Sequence, residues 1–94
     1  MSHYVIIYNP AAAQGRAGKR QPEVEAMLET NGVDYTLVCT EYPGHAVELA
    51  REAAIRNDAR AIVAAGGDGT ANEVLNGMMA ARDHGHRTPA LGVL

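Results

Sequence analysis

The chain contains no phenylalanine and no tryptophan, and its aromatic residues are four tyrosines. A core built without large rings is aliphatic, and abundant alanine favours close approach of helices to a sheet over thick aromatic layers. The single cysteine, Cys39, excludes an internal disulfide and fits a reducing compartment, so the expected location is cytoplasmic. Positive charge is scarce as well. Eight Lys and Arg against eleven Asp and Glu leave a formal net charge of -3, which gives no electrostatic case for nucleic acid or for an anionic membrane. No apolar run approaches the roughly 18 residues that span a bilayer. The first residues also lack the charged and apolar regions of a signal peptide. Repeats, low-complexity tracts and linkers are absent from the sequence. What remains is one small globular domain of 94 residues, 47% hydrophobic and 20% charged.

One stretch organises this domain: Gly66-Gly67-Asp68-Gly69-Thr70. It follows the strand-like run Ala61–Ala65 and precedes a helical pattern that starts at Ala71. Strand, glycine turn and helix together make a phosphate-binding corner. Glycines permit φ > 0 and close approach of backbone to a ligand, and a helix N-terminus offers free N–H groups to an anion. Thr70 is placed to cap the helix, with Glu73 three residues later completing a capping box. Asp68 adds an acceptor-only charge suited to a ligand hydroxyl or, through water, to Mg²⁺. A plain tight turn is the alternative reading, and the strand before and the helix after weigh against it. Two familiar phosphate motifs do not fit. Asn72 stands where G-x-G-x-x-G needs its third glycine, and Arg20 stands where a Walker A loop needs Ser or Thr.

Along the chain, His3–Asn9 reads as a first strand, apolar without alternation over Tyr4–Tyr8, as in a parallel sheet covered on both faces. Asn9-Pro10 ends it, and Ala11–Gly18 is expected to be a loop with Arg16, Lys19 and Arg20 beside it, suited to a phosphate neighbour or simply solvated. Pro22 is expected in the first turn of a helix whose Val24, Met27 and Leu28 face the core, closed by Gly32. Tyr35–Cys39 is a second strand. Thr40 at its end is a ligand contact or ordinary turn chemistry. His45 opens a second helix with Ala46, Leu49, Ala50 and Ala53 on one face. Arg60–Ala65 is the third strand. The third helix is expected to bury Ala71, Val74, Leu75, Met78 and Met79 and to stop at Gly85. Ala90–Leu94 reads as a buried fourth strand. His84 and His86 resemble a metal pair but have no further ligands near them in sequence, so no metal ligand is assigned.

This βαβαβαβ order with short links demands right-handed crossovers and a three-layer α/β/α sandwich around a parallel sheet. The strand order 2-1-3-4 is expected. It places strands one and three at a topological switch point, so that the Asn9 loop and the Gly66 turn flank one crevice.

Three stretches carry a family resemblance: Asn9-Pro10…Gly15…Gly18-Lys19, Thr40-Glu41…Gly44-His45-Ala46, and Gly66–Gly77 with Asn72-Glu73-Val74-Leu75-Asn76-Gly77 after the turn. Together they resemble the diacylglycerol kinase catalytic domain family, its bacterial lipid kinases above all. The resemblance implies a Rossmann-like N-terminal domain, like that of NAD kinases, over residues 1–94. It implies ATP and Mg²⁺, with Asn9, Pro10, Thr40, Gly66, Gly67, Asp68, Gly69, Thr70, Ala71, Asn72 and Glu73 around the nucleotide. It further implies a parent that phosphorylates a lipid hydroxyl such as that of diacylglycerol, in lipid metabolism and phospholipid biosynthesis. A C-terminal β-rich domain absent from this chain would carry the lipid pocket and the catalytic base, so no residue here is assigned as catalytic. The chain alone is accordingly expected to be inactive, to bind ATP weakly and to self-associate. Peripheral membrane contact is expected only in the parent. Sphingosine- or ceramide-type kinases, NAD kinases and a non-catalytic nucleotide-binding module are the alternatives. A phospho-acceptor receiver domain would need an acidic pair where Asn9-Pro10 stands.

Overall fold

The computed structural model describes residues 3–94. Seven elements alternate along them: β1 (His3–Tyr8), α1 (Arg16–Thr30), β2 (Asp34–Cys39), α2 (His45–Arg56), β3 (Ala61–Ala65), α3 (Asp68–Asp83) and β4 (Ala90–Val93). The strands form one sheet in the order β2-β1-β3-β4, and each neighbouring pair is parallel. The expected order and its switch point between β1 and β3 are therefore present.

The unbroken apolar run of β1 has a direct cause. Successive side chains point to opposite faces of a sheet, and here both faces are covered. Val5, Ile7, Ile62 and Ala64 join Ala46, Ala50, Val74 and Met78 in the larger core, beneath α2 and α3. Ile6, Tyr8 and Ala65 form the smaller core with Ala17, Val24 and Leu28 of α1. The result is a three-layer sandwich with α1 on one face and α2 and α3 on the other. Alanine sets the spacing between the helices and the sheet, since Ala46, Ala50, Ala53 and Ala54 are the buried residues of α2.

Five local expectations need correction. Helix α1 begins at Arg16, so part of the expected Ala11–Gly18 loop is helical and Pro22 lies inside the helix. The left-handed Gly15, at φ 88, turns the chain into the helix earlier than the proline suggested. Met27 is 52% exposed rather than in the core, because Ala17, Val24 and Leu28 make the seam that meets the sheet. Helix α3 begins at Asp68, so Thr70 is inside its first turn and Gly67 is the N-cap, with no side-chain cap hydrogen bond. The capping box of Thr70 and Glu73 is therefore not formed. Leu75 and Met79 of α3 are exposed, while Thr70, Val74, Gly77, Met78 and Ala81 are buried. The stripe is turned toward α2 because Gly77 has no side chain: a Cβ there would collide with the Val47 carbonyl and the Ala50 side chain. Finally, β4 is not buried. Among the described residues it is an edge strand paired with β3 alone, and Leu91, Val93 and Leu94 are exposed. Among the described residues, no helix is long and apolar enough to cross a membrane.

Candidate functional site

The C-terminal ends of β1, β2 and β3 converge on Asn9. Its backbone N–H donates to the Ala65 carbonyl at 2.8 Å, and the Thr40 N–H donates to the Tyr8 carbonyl at 2.8 Å. The ladder thus continues one residue past each strand and fixes where the Asn9 and Thr40 side chains begin. Asn9 Oδ1 accepts from the Ala11 N–H at 3.1 Å and from the Thr40 hydroxyl at 3.3 Å. Asn9 Nδ2 donates to Thr70 Oγ1 at 3.3 Å, and the Thr70 hydroxyl donates to the Gly66 carbonyl at 3.3 Å. One amide thereby links three strand ends and the first turn of α3. Hydroxyl hydrogen bonds of 3.3 Å are long. These groups hold each other in place while remaining able to exchange a partner for a ligand atom.

The glycines of the turn differ in what they do. Gly66, at φ 146, lies against the network: a Cβ there would stand 2.7 Å from Asn9 Cβ and 2.8 Å from Thr70 Oγ1. Gly67, at φ 95 and ψ -173, has nothing within 4 Å of a Cβ position, and Gly69 likewise faces open space. The backbone of Gly67–Gly69 is therefore bare at the N-terminus of a 16-residue helix, where amide N–H groups point outward. Asp68 and Asn72 are exposed beside it, and Ala71 packs against the larger core, away from the opening. Pro10 is half-buried, and its carbonyl accepts the Gly18 N–H at 2.9 Å, which ties the loop after β1 to α1.

A cleft lies on each side of this turn. On the α2/α3 side, a cleft of about 310 Å³ is lined by Asn9, Thr40, Tyr42, Pro43, Thr70 and Glu73 among others. Its wall is braced. The Glu41 N–H donates to His45 Nδ1 at 3.0 Å, and the Tyr42 ring stacks on His45 with centroids 4.4 Å apart. The Tyr42 hydroxyl donates to Glu48 at 2.7 Å, and this bond, ahead of partial desolvation and neighbouring carboxylates, raises the phenol pKa above its ordinary value of 10.0. On the α1 side, a cleft of about 490 Å³ has an apolar floor that includes Tyr8, Val24, Ala65 and Leu94, with Arg16 and Arg20 at its wall.

Of the residues singled out in sequence, Asn9, Thr40, Gly66 and Thr70 meet by hydrogen bond or close contact, and Glu73 shares their cleft. Tyr42 and Pro43 were not singled out, although an aromatic residue just after Thr40 was a visible signal. The α1-side floor was not foreseen, because Tyr8, Val24 and Leu94 read only as core or strand residues. For Mg²⁺, the Gly66–Thr70 turn offers one carboxylate, the exposed Asp68, and the described residues contain no group of three or more His, Cys, Asp or Glu that could hold a metal ion. Such a donor set fits Mg²⁺ held mainly by phosphates and water.

A family model, the diacylglycerol kinase catalytic domain, matches residues 3–94. Among curated proteins, the chain is 42% identical over 73 residues to a diacylglycerol kinase of Staphylococcus haemolyticus (strain JCSC1435), covering 78% of this chain and 22% of that protein. It is 38% identical over 89 residues to a diacylglycerol kinase of Bacillus subtilis (strain 168), covering 95% and 28%. It is also 38% identical over 80 residues to sphingoid long chain base kinase 5 of Saccharomyces cerevisiae (strain ATCC 204508 / S288c), covering 84% and 12%. A solved structure of a diacylglycerol kinase from Bacillus anthracis str. Sterne superposes with a TM-score of 0.68 at 26% identity, over 98% of this chain and 31% of that one. The chain thus spans less than a third of the length of each of these relatives.

Proposed function

The chain belongs to the diacylglycerol kinase catalytic domain family, and from that premise we propose that it is the ATP-binding portion of a lipid kinase that transfers the γ-phosphoryl group to a lipid hydroxyl. The observation that carries the reading is the Asn9–Thr40–Thr70 network set against the bare glycine backbone of Gly67–Gly69. Phosphoryl transfer depends chiefly on positioning and on charge stabilisation. Both are available here. The turn backbone and the α3 N-terminus would receive the phosphates, with Gly66, Gly67, Asp68, Gly69 and Thr70 as the cradle. Asn9, Thr40 and Glu73 would orient the nucleoside end in the α2/α3-side cleft, with Pro10 holding the loop. Ala71 and Asn72 continue the helix behind the cradle and would contribute backbone rather than side chain. Mg²⁺, where bound, neutralises phosphate charge, and Asp68 would hold its water shell.

No side chain around the turn is assigned as a general base. We assign that role, the lipid pocket and the choice between a glycerolipid and a sphingoid acceptor to domain structure outside residues 1–94. The reading is tested by Mg·ATP calorimetry on Asn9→Ala and Thr70→Val, alongside lipid phosphorylation assays on the full-length protein with the same substitutions. Each should weaken nucleotide binding well beyond any loss of stability. Affinity unchanged in both folded variants would remove the network from the nucleotide site.

A further inference from the structure

An asparagine side-chain amide is most open to attack by the following backbone nitrogen when the next residue is glycine, which puts no Cβ beside that nitrogen. The chain contains this dipeptide twice, as Asn31-Gly32 and as Asn76-Gly77. The fold treats the two copies differently. Asn76-Gly77 lies in the interior of α3, where the Gly77 N–H belongs to the helical hydrogen-bond ladder. Gly77 is also buried, against the Val47 carbonyl and the Ala50 side chain. Its nitrogen is thereby held away from the Asn76 amide. Asn31, in contrast, is the C-cap of α1, and residues 29–32 are all exposed. Gly32 is left-handed, at φ 68, and nothing lies within 4 Å of a Cβ position there.

The end of α1 is also weakly secured. The Asn31 N–H and Nδ2 both donate to the Met27 carbonyl, at 3.1 and 2.7 Å. The Gly32 N–H donates to the Glu29 carbonyl at 3.1 Å, and the Val33 N–H to the Leu28 carbonyl at 3.0 Å. Charge works against these bonds. The last turn of α1 holds no basic residue, and Glu29 stands there at the negative end of the helix dipole. No residue of α1 is buried, whereas Ala46, Ala50, Ala53 and Ala54 anchor α2, and α3 is held by Val74, Gly77, Met78 and Ala81. A solvated last turn with few anchors opens at low cost, and the middle of a packed helix does not.

We propose that Asn31-Gly32 is a modification site, at which opening of the last turn of α1 lets Asn31 convert to an isoaspartyl or aspartyl residue while Asn76 is spared. The Gly32 backbone nitrogen attacks the Asn31 side-chain carbonyl carbon. The new N–C bond closes a cyclic imide, the nitrogen gives its proton to solvent, the Cγ–Nδ2 bond breaks and ammonia leaves. Water then opens the imide at either carbonyl, and no other co-reactant is needed. Both products lose the Nδ2 donor to the Met27 carbonyl and add a negative charge where the helix dipole is already unfavourable. The isoaspartyl product also adds a methylene to the main chain, so the Gly32 and Val33 bonds cannot both keep their geometry. The consequence is a looser seam between α1 and β2, where the Tyr35 hydroxyl reaches Glu25 and Glu29 at 3.4 Å. Asn31 precedes the N-terminal end of β2, whereas the Gly66 turn follows the C-terminal end of the parallel β3, so the site does not rest on the nucleotide reading.

The test is timed incubation of the chain in mildly alkaline, low-salt buffer, folded and in urea. Mass spectrometry of the tryptic peptides carrying Asn31 and Asn76 follows the amide-to-acid change, and labelling by an isoaspartyl carboxyl methyltransferase identifies the isoaspartyl product. In urea the two asparagines should convert at comparable rates. In the folded chain Asn31 should convert about a hundredfold faster than Asn76 or more, because a helix end opens far more readily than a packed helix interior. Thr30→Arg puts a cation in the last turn at an exposed position and leaves the reacting dipeptide untouched. It should slow Asn31 about two- to fivefold in the folded chain, the effect of a favourable charge at a helix C-terminus, and leave the rate in urea unchanged. Equal rates at Asn31 and Asn76 in the folded chain would overturn the proposal. So would a folded-chain rate at Asn31 that Thr30→Arg leaves unchanged, since opening of the last turn would then not control the reaction.

Discussion

Gly66→Ala and Gly67→Ala should differ in kind although the two residues are adjacent. Both positions have positive φ, 146 at Gly66 and 95 at Gly67, so an alanine at either carries backbone strain of about 1–3 kcal/mol. At Gly67 the added methyl meets nothing within 4 Å. At Gly66 it would stand 2.7 Å from Asn9 Cβ and 2.8 Å from Thr70 Oγ1, distances that real Cβ atoms do not tolerate. Forced overlap in a packed site adds about 1–3 kcal/mol, which puts Gly66→Ala at about 2–6 kcal/mol in total. A domain of this size has about 5–14 kcal/mol of stability in all, so the larger figure approaches unfolding. Function should divide the other way. Gly67→Ala should keep the fold at a modest cost and, on the proposed function, lose ATP affinity, because its methyl would occupy the space over the bare turn that the proposal gives to phosphate. Urea melts and Mg·ATP calorimetry on both variants read the two effects separately. Equal destabilisation of the two variants, together with full ATP affinity in Gly67→Ala, would refute the assignment of Gly66 to structure and Gly67 to the ligand.

Three further outcomes follow from particular contacts. Asp68 is exposed, so Asp68→Ala should leave the urea midpoint almost unchanged and reduce lipid kinase turnover of the full-length protein by orders of magnitude; near-normal turnover would remove its phosphate or Mg²⁺ role. Gly77→Ala would gain about 1 kcal/mol from helix propensity at an open site, but here the methyl meets the Val47 carbonyl and Ala50, so a net loss of stability is expected in urea melts and a gain would contradict the α2–α3 packing. Tyr42 should ionise above 10.0, and Glu48→Gln should bring its midpoint down, followed by phenolate absorbance. The sign is that of an acid favoured in its neutral form: the contribution is present below the unfolded value and is lost as pH rises through the raised one.

The sheet order was legible because continuous apolar strands, short links and the handedness of crossovers leave few arrangements. The approach of the Asn9 loop to the Gly66 turn followed from that order, since both lie at strand C-termini at the switch point, whereas the hydrogen bond of Thr40 to Asn9 is seen only in the structure. What escaped was set by tertiary contact. Nothing in the periodicity of α3 distinguishes Leu75 and Met79 from Val74 and Met78. The small contact of Gly77 with Ala50 turns the helix and leaves the first pair exposed. Thr70 looked like a cap because Ser and Thr before an apolar pattern commonly cap. Its hydroxyl instead bonds the Gly66 carbonyl four residues back and accepts from Asn9, a partner 61 residues away in sequence that no local rule contains. Gly15 hid the start of α1 in the same manner, since a glycine among alanines reads as loop until its left-handed conformation is seen to begin a helix.

The central claim is that the ends of β1, β2 and β3 and the glycine turn together form a nucleotide site. It is tested most directly by mapping amide shifts of the ¹⁵N-labelled chain during titration with Mg·ATP, a measurement that detects even weak binding. Saturable shifts are predicted at Asn9, Ala11, Thr40 and Gly66–Glu73, lost together in Asn9→Ala. The absence of saturable shifts, or shifts that leave Gly66–Thr70 untouched, would contradict the account.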